Sequence, residues 1–114
     1  MTIQNLDGIF HALSDPTRRA ILARLALGEA NVAELMAPFT LSQPTISKHL
    51  KVLEEAGLIE GGRDAQRRPR RLVATTMKDA ADWIEPFRRQ WEMRFANLDD
   101  HLAKLQKTNP QQES

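Results

Sequence analysis

The 114-residue chain contains no cysteine. That removes disulfides, thiolate metal ligands and cysteine nucleophiles at once, and it fits work in a reducing, cytoplasmic compartment. No apolar run approaches the roughly 18 residues of a membrane span. The opening MTIQNLDGIF also lacks a basic segment followed by an apolar core, so neither membrane insertion nor secretion is expected. Net charge is scarce: 16 Lys and Arg stand against 15 Asp and Glu, a formal +1. Any argument for nucleic acid must therefore come from where the charge sits, not from its sum. Catalytic signatures are missing as well. There is no Gly-rich phosphate loop and no nucleophile elbow, and the carboxylate pairs Glu54-Glu55 and Asp99-Asp100 are sequential, so they diverge on a helix. The chain is read as a non-enzyme. Its length suits one domain with a modest core, over residues 1–107, followed by a polar tail, 108–114, expected to be disordered.

What is present is a succession of helical stripes. Ile3, Leu6, Ile9, Phe10 and Leu13 recur at helical spacing and define a first helix. Ser14-Asp15-Pro16 stops it and starts a second, with Asp15 as N-cap, Pro16 at the first helical position and Gly28 closing it. Ile21, Leu22 and Leu25 form the buried face of that second helix. Asn31 and Glu34 have the spacing of a capping box and open a short third helix that buries Val32, Leu35 and Met36.

A fourth helix, 42–56, is predicted from Ser42 as N-cap, Pro44 in the first turn and an apolar face of Ile46, Leu50 and Leu53. Gln43, Thr45, Ser47, Lys48 and Lys51 fall on its other faces. Gln and Ser can pair with base edges and Lys neutralises phosphates, so this is read as a recognition helix entering a major groove. His49, beside Lys48, is a candidate for packing or phosphate contact. Leu58-Ile59 then begins an extended piece and Arg71 to Ala74 a return strand, making a helix–turn–helix followed by a basic hairpin wing, 61–72. The wing holds Arg63, Arg67, Arg68, Arg70 and Arg71 against Asp64 alone. Of these Arg63, Arg67, Arg68 and Arg71 join Ser42 and the outer residues of the fourth helix as the candidate DNA contacts. Strand alternation sets Arg67 and Arg71 on one face, and Arg68 and Arg70 with Leu72 on the other.

The last helical segment is expected to start at a cap formed by Thr76 and Asp79 and to kink or break near Ile84, ahead of Pro86. Its apolar residues Ile84, Phe87, Trp91, Phe95, Leu98, Leu102 and Leu105 follow steps of three and four. So long a stripe exceeds what a small core can cover, which predicts dimerisation. The expected interface comprises Ile3, Leu6 and Phe10 of the first helix with Phe87, Trp91, Phe95, Leu98 and Leu102 of the last. Trp83 and Trp91 could alternatively line a small-molecule effector pocket. No metal site is assigned: His101 beside Asp99 and Asp100 lacks the three- or four-residue spacing that brings ligands to one helix face.

ALSDPTRRAIL (12–22), LSQPTISKHLKVLEEAGLI (41–59) and the Arg-rich wing together resemble the ArsR/SmtB family of bacterial winged-helix repressors. The resemblance implies a mainly α fold with a small β-hairpin wing, and a homodimer held by the first and last helices. It implies a repressor that binds double-stranded DNA at an inverted-repeat operator without a cofactor, reading bases from Gln43, Thr45, Ser47 and Lys48. Metal-sensing members carry Cys in the third helix, where this chain has Val32 to Met36, so the resemblance is to a Cys-free subgroup. The family's wing usually has Gly at its tip and Tyr two residues before the strand Leu; Ala65 and Arg70 stand there in this chain. The alternative is a winged-helix dimer serving as a protein or RNA interaction module without specific DNA binding.

Overall fold

Five helices and two short strands follow one another in the computed structural model, which describes residues 2–61 and 69–108, with side chains from 5 to 61 and 69 to 106. They are α1 (Thr2–Leu13), α2 (Pro16–Leu25), α3 (Val32–Met36), α4 (Gln43–Glu55), β1 (Ile59–Glu60), β2 (Arg71–Leu72) and α5 (Ala74–Thr108). The fold is mainly α with a small antiparallel hairpin, as expected. Two compact units divide the chain, Met1–Ala80 and Ala81–Ser114.

Local chemistry accounts for the helix boundaries of the first unit. Asp15 Oδ2 accepts from the Arg18 amide at 3.0 Å, and Pro16 follows at the first position, where its missing N–H costs nothing. The Asn31–Glu34 capping box is closed in both directions, at 2.8 and 2.9 Å. Ser42 Oγ accepts from the Thr45 amide at 3.3 Å at the start of α4. The end of α4 is a Schellman motif: Leu58 N–H donates to the Leu53 carbonyl and Gly57 N–H to that of Glu54, both at 3.0 Å. Gly57 takes φ +76° there, a conformation that a side chain would disfavour. Leu53 and Leu58, the pair such a motif brings together, are both fully buried.

The core of this unit is built from one face of each helix. Ile9 and Ala12 of α1, Ile21, Leu22 and Leu25 of α2, Val32 and Leu35 of α3, and Ile46, Leu50 and Leu53 of α4 are all buried. Ala30, Ala56, Leu58, Ile59 and Ala80 complete it. Leu6 and Phe10, assigned from sequence to the dimer interface, are half-buried against this core in the single chain. In the hairpin, Ile59 pairs with Leu72 and Glu60 with Arg71, while Ala30 and Arg70 exchange hydrogen bonds of 3.1 and 2.8 Å. The wing root is thus stitched to the segment that leads into α3.

Three boundaries differ from expectation. The second helix ends at Leu25 with Ala26 as its C-cap, and Gly28 lies beyond it at φ +145°. The return strand stops at Leu72: the Val73 N–H still extends the hairpin by donating to Leu58, but its carbonyl accepts from Thr76 and Met77, the first turn of α5. Ala74 therefore belongs to α5, and Thr76 and Asp79 lie inside the helix instead of capping it. In the second unit the helix continues through Pro86 without a break, although proline has no N–H to give to the carbonyl four residues earlier. Thr108 ends α5, and the rest of the expected tail falls outside the described residues.

Candidate nucleic-acid interface

Helix α4 turns Ile46, Leu50 and Leu53 inward, which leaves Ser47, Lys48 and Lys51 exposed on its other faces, with Gln43 exposed in the first turn. Neutral hydrogen-bonding groups sit at its front and ammonium groups further along. Ser42 and Thr45 are engaged locally: their hydroxyls lie 3.0 Å apart within the N-cap. Thr45 is half-buried, at the edge of the outer face.

His49 is placed differently from its neighbours. Its side chain is only 18% exposed, with Nδ1 3.9 Å from Asp15 Oδ2 and 3.4 Å from Arg18 Nη1. The imidazole faces the start of α2, whereas the adjacent Lys48 faces outward. Of Asp15's two tasks, accepting the Arg18 backbone amide is the main cause that holds its carboxyl below the ordinary 3.8, with the nearby His49 and Arg18 charges adding to it against partial desolvation.

The arginines of the wing separate into two kinds. Arg70, on the Leu72 face, is buried, and its guanidinium lies 3.7 Å from the Glu54 carboxylate on α4. Its stem lies against the Gly61 backbone, where a Cβ would come within 2.9 Å of Nε. Arg70 thereby ties the wing root to the end of the recognition helix. Sequence reasoning misses the pairing with Glu54; its signal is a charged residue one turn before Gly57, opposite an arginine on the apolar strand face. Arg71 points to solvent and donates to Glu60 at 2.6 Å, and that hydrogen bond raises its pKa further. Arg63, Arg67 and Arg68 lie outside the described residues.

On α5, Phe87, Trp91, Phe95, Leu98, Leu102 and Leu105 are all large apolar side chains between 43 and 66% exposed in the single chain. Trp83 and Phe87 stack obliquely with ring centroids 5.0 Å apart, and Arg88 bridges Glu85 and Glu92 beside them. Ile3, also assigned to the interface, lies outside the described side chains. Among the described residues no three His, Cys, Asp or Glu stand together as a metal would need, and no helix is long and apolar enough to cross a membrane.

A short helix, a turn, an outward-facing polar helix and an antiparallel hairpin rooted on its end define a winged helix-turn-helix domain. The family model of the bacterial regulatory proteins of the arsR family matches residues 15–60, which run from the cap of α2 to the end of β1. The transcriptional repressor SdpR of Bacillus subtilis is 35% identical over 82 residues, 72% of this chain and 91% of that protein. A crystal structure of an ArsR family transcriptional regulator superposes with TM-score 0.69 at 37% identity, over 78% of this chain and 92% of the other. The homodimeric winged helix-turn-helix DNA-binding domain of Mb0332 from Mycobacterium bovis does so with TM-score 0.57 at 26% identity, over 88% and 83%. The chain belongs to the ArsR family of bacterial transcriptional regulators. It spans about half the length of several other curated relatives that it matches.

Proposed function

We propose that the chain acts in the cytoplasm as a homodimeric repressor that occupies an inverted-repeat operator. In this reading the N-terminal half of α4 lies in the major groove. Gln43, Thr45 and Ser47 read base edges, with Ser42 at the groove's rim, while Lys48, Lys51 and the arginines of the wing hold phosphates. The observation that carries it is the polar outer face of α4, set by the burial of Ile46, Leu50 and Leu53. Support for repression comes from relatives named as repressors, and support for the dimer from the exposed apolar stripe of α5 and from the homodimeric neighbour. Release from DNA is not routed through thiolate-bound metal, since the chain holds no cysteine. A small-molecule effector acting near Trp83 and Trp91 is a compatible extension of this reading, and no catalytic role is proposed.

The test is selection of bound duplexes from a random pool by the purified protein. An enriched palindrome with half-sites about one helical turn apart is expected. Recovery without any consensus would overturn specific DNA binding and favour the interaction-module alternative.

A further inference from the structure

Between the end of α1 and the middle of α4 runs a continuous chain of polar contacts centred on Arg18. Its Nε donates to the Ala12 carbonyl at 2.8 Å and its Nη2 to that of His11 at 3.2 Å, which closes the last turn of α1. Its Nη1 lies 3.4 Å from His49 Nδ1, and its backbone amide donates to Asp15, whose other neighbour is His49 itself. His49 stands between Lys48, which is exposed, and Leu50, which is buried. Its ring is therefore at the seam where α4 meets α2, turned away from the exposed face that carries Ser47 and Lys51.

We infer that His49 is a positioning residue for DNA reading, a latch that fixes the rotation and depth of α4 through Asp15 and Arg18, and not a contact to phosphate. The inference rests on the reading of α4 as the base-reading helix. Two observations carry it. Nδ1 faces the Asp15 carboxylate at the cap of α2 and the Arg18 guanidinium in its first turn, so the ring is held from the protein side. With the ring proton on Nε2, Nδ1 is an acceptor for the Arg18 N–H. Both partners are fixed independently of His49, Asp15 as the cap of α2 and Arg18 on the carbonyls of α1, so they form a rigid seat. Base discrimination requires side chains to be placed within about half an ångström, whereas phosphate attraction tolerates looser placement. Loss of the latch should therefore cost specific binding more than non-specific binding.

The experiment compares four full-length proteins, wild type, His49→Ala, His49→Asn and Asp15→Asn, together with the His49→Ala/Asp15→Asn double variant. Asn at 15 remains a good N-cap but lacks the carboxylate charge, and Asn at 49 places an amide where Nδ1 was. Each is titrated against the selected operator and a scrambled duplex. Expected are a loss of fivefold or more on the operator for His49→Ala, with little change on the scrambled duplex. The double variant should be no worse than the poorer single one, and His49→Asn should recover part of the loss. Equal losses on both duplexes with a flattened salt slope would make His49 a phosphate contact and overturn the latch. So would additive losses, or no recovery by His49→Asn. Failure of the wild type to prefer its operator would show that the α4 reading itself had fallen, and the latch with it.

Discussion

Glu60 holds the Arg71 guanidinium at 2.6 Å across the hairpin, so a phosphate that recruits Arg71 must compete with a carboxylate already in place. Glu60→Gln is therefore expected to tighten binding to operator and scrambled duplex alike. Arg71→Ala should weaken both and flatten the log–log salt slope by about one unit for each phosphate it ceases to neutralise, two for a symmetric dimer. Titrations at several salt concentrations check both; an operator-only effect would assign Arg71 to base reading. Its neighbour Arg70 serves the fold, since removal of the Glu54 charge leaves a buried guanidinium with a weaker partner. Glu54→Gln should cost about 1–2 kcal/mol of folding stability, below the roughly 3–5 of a fully buried broken pair because Glu54 is still partly exposed. Urea unfolding measures this, and an unchanged midpoint would show that the Arg70–Glu54 pair does not anchor the wing.

At the scale of elements, α4 and α5 present surfaces of different chemistry, one of polar groups and one of exposed rings and aliphatics. Gln43→Ala should weaken operator binding by roughly 1–3 kcal/mol and spare the scrambled duplex, the cost of one bidentate base contact. Equal losses on both would strip the helix front of its reading role. For α5, Trp91→Glu or Leu98→Glu should shift the protein to monomer in sedimentation with helicity retained, since an unpaired carboxylate in an apolar interface costs several kcal/mol, on the order of the interaction it replaces. An unchanged dimer in both variants would take this helix out of the interface.

Which elements were legible follows from the range of the forces that set them. Asp15, Asn31, Ser42 and Gly57 act through hydrogen bonds within a turn, so the starts of α2, α3 and α4 and the end of α4 could be read directly. The start of α5 could not, because Val73 is committed by a hydrogen bond to Leu58, fifteen residues earlier. Likewise the sequence puts Arg70 on the Leu72 face and leaves His49 open to packing, but it names no partner for either. Only the packing of α2 on α4, and of the wing root on Ala30 and Glu54, turns them inward. Ser47, Lys48 and Lys51 were legible as exposed because their positions follow from the buried Ile46, Leu50 and Leu53 on the same helix.

On the proposed function, each chain brings one reading helix and an apolar stripe suited to a second copy, so the DNA site is expected to carry two half-sites. A dimer that engages both gains from the second as an intramolecular event, and loses that gain when one half-site is erased. The deciding measurement is binding of the wild-type protein to its selected operator and to the same duplex with one half-site scrambled, with stoichiometry determined on both. Two chains per intact operator are predicted, with affinity falling at least about tenfold on the half-scrambled duplex, toward the non-specific level. Equal affinity for the two duplexes, or one chain bound per intact operator, would contradict the claim that this protein reads an inverted repeat as a dimer.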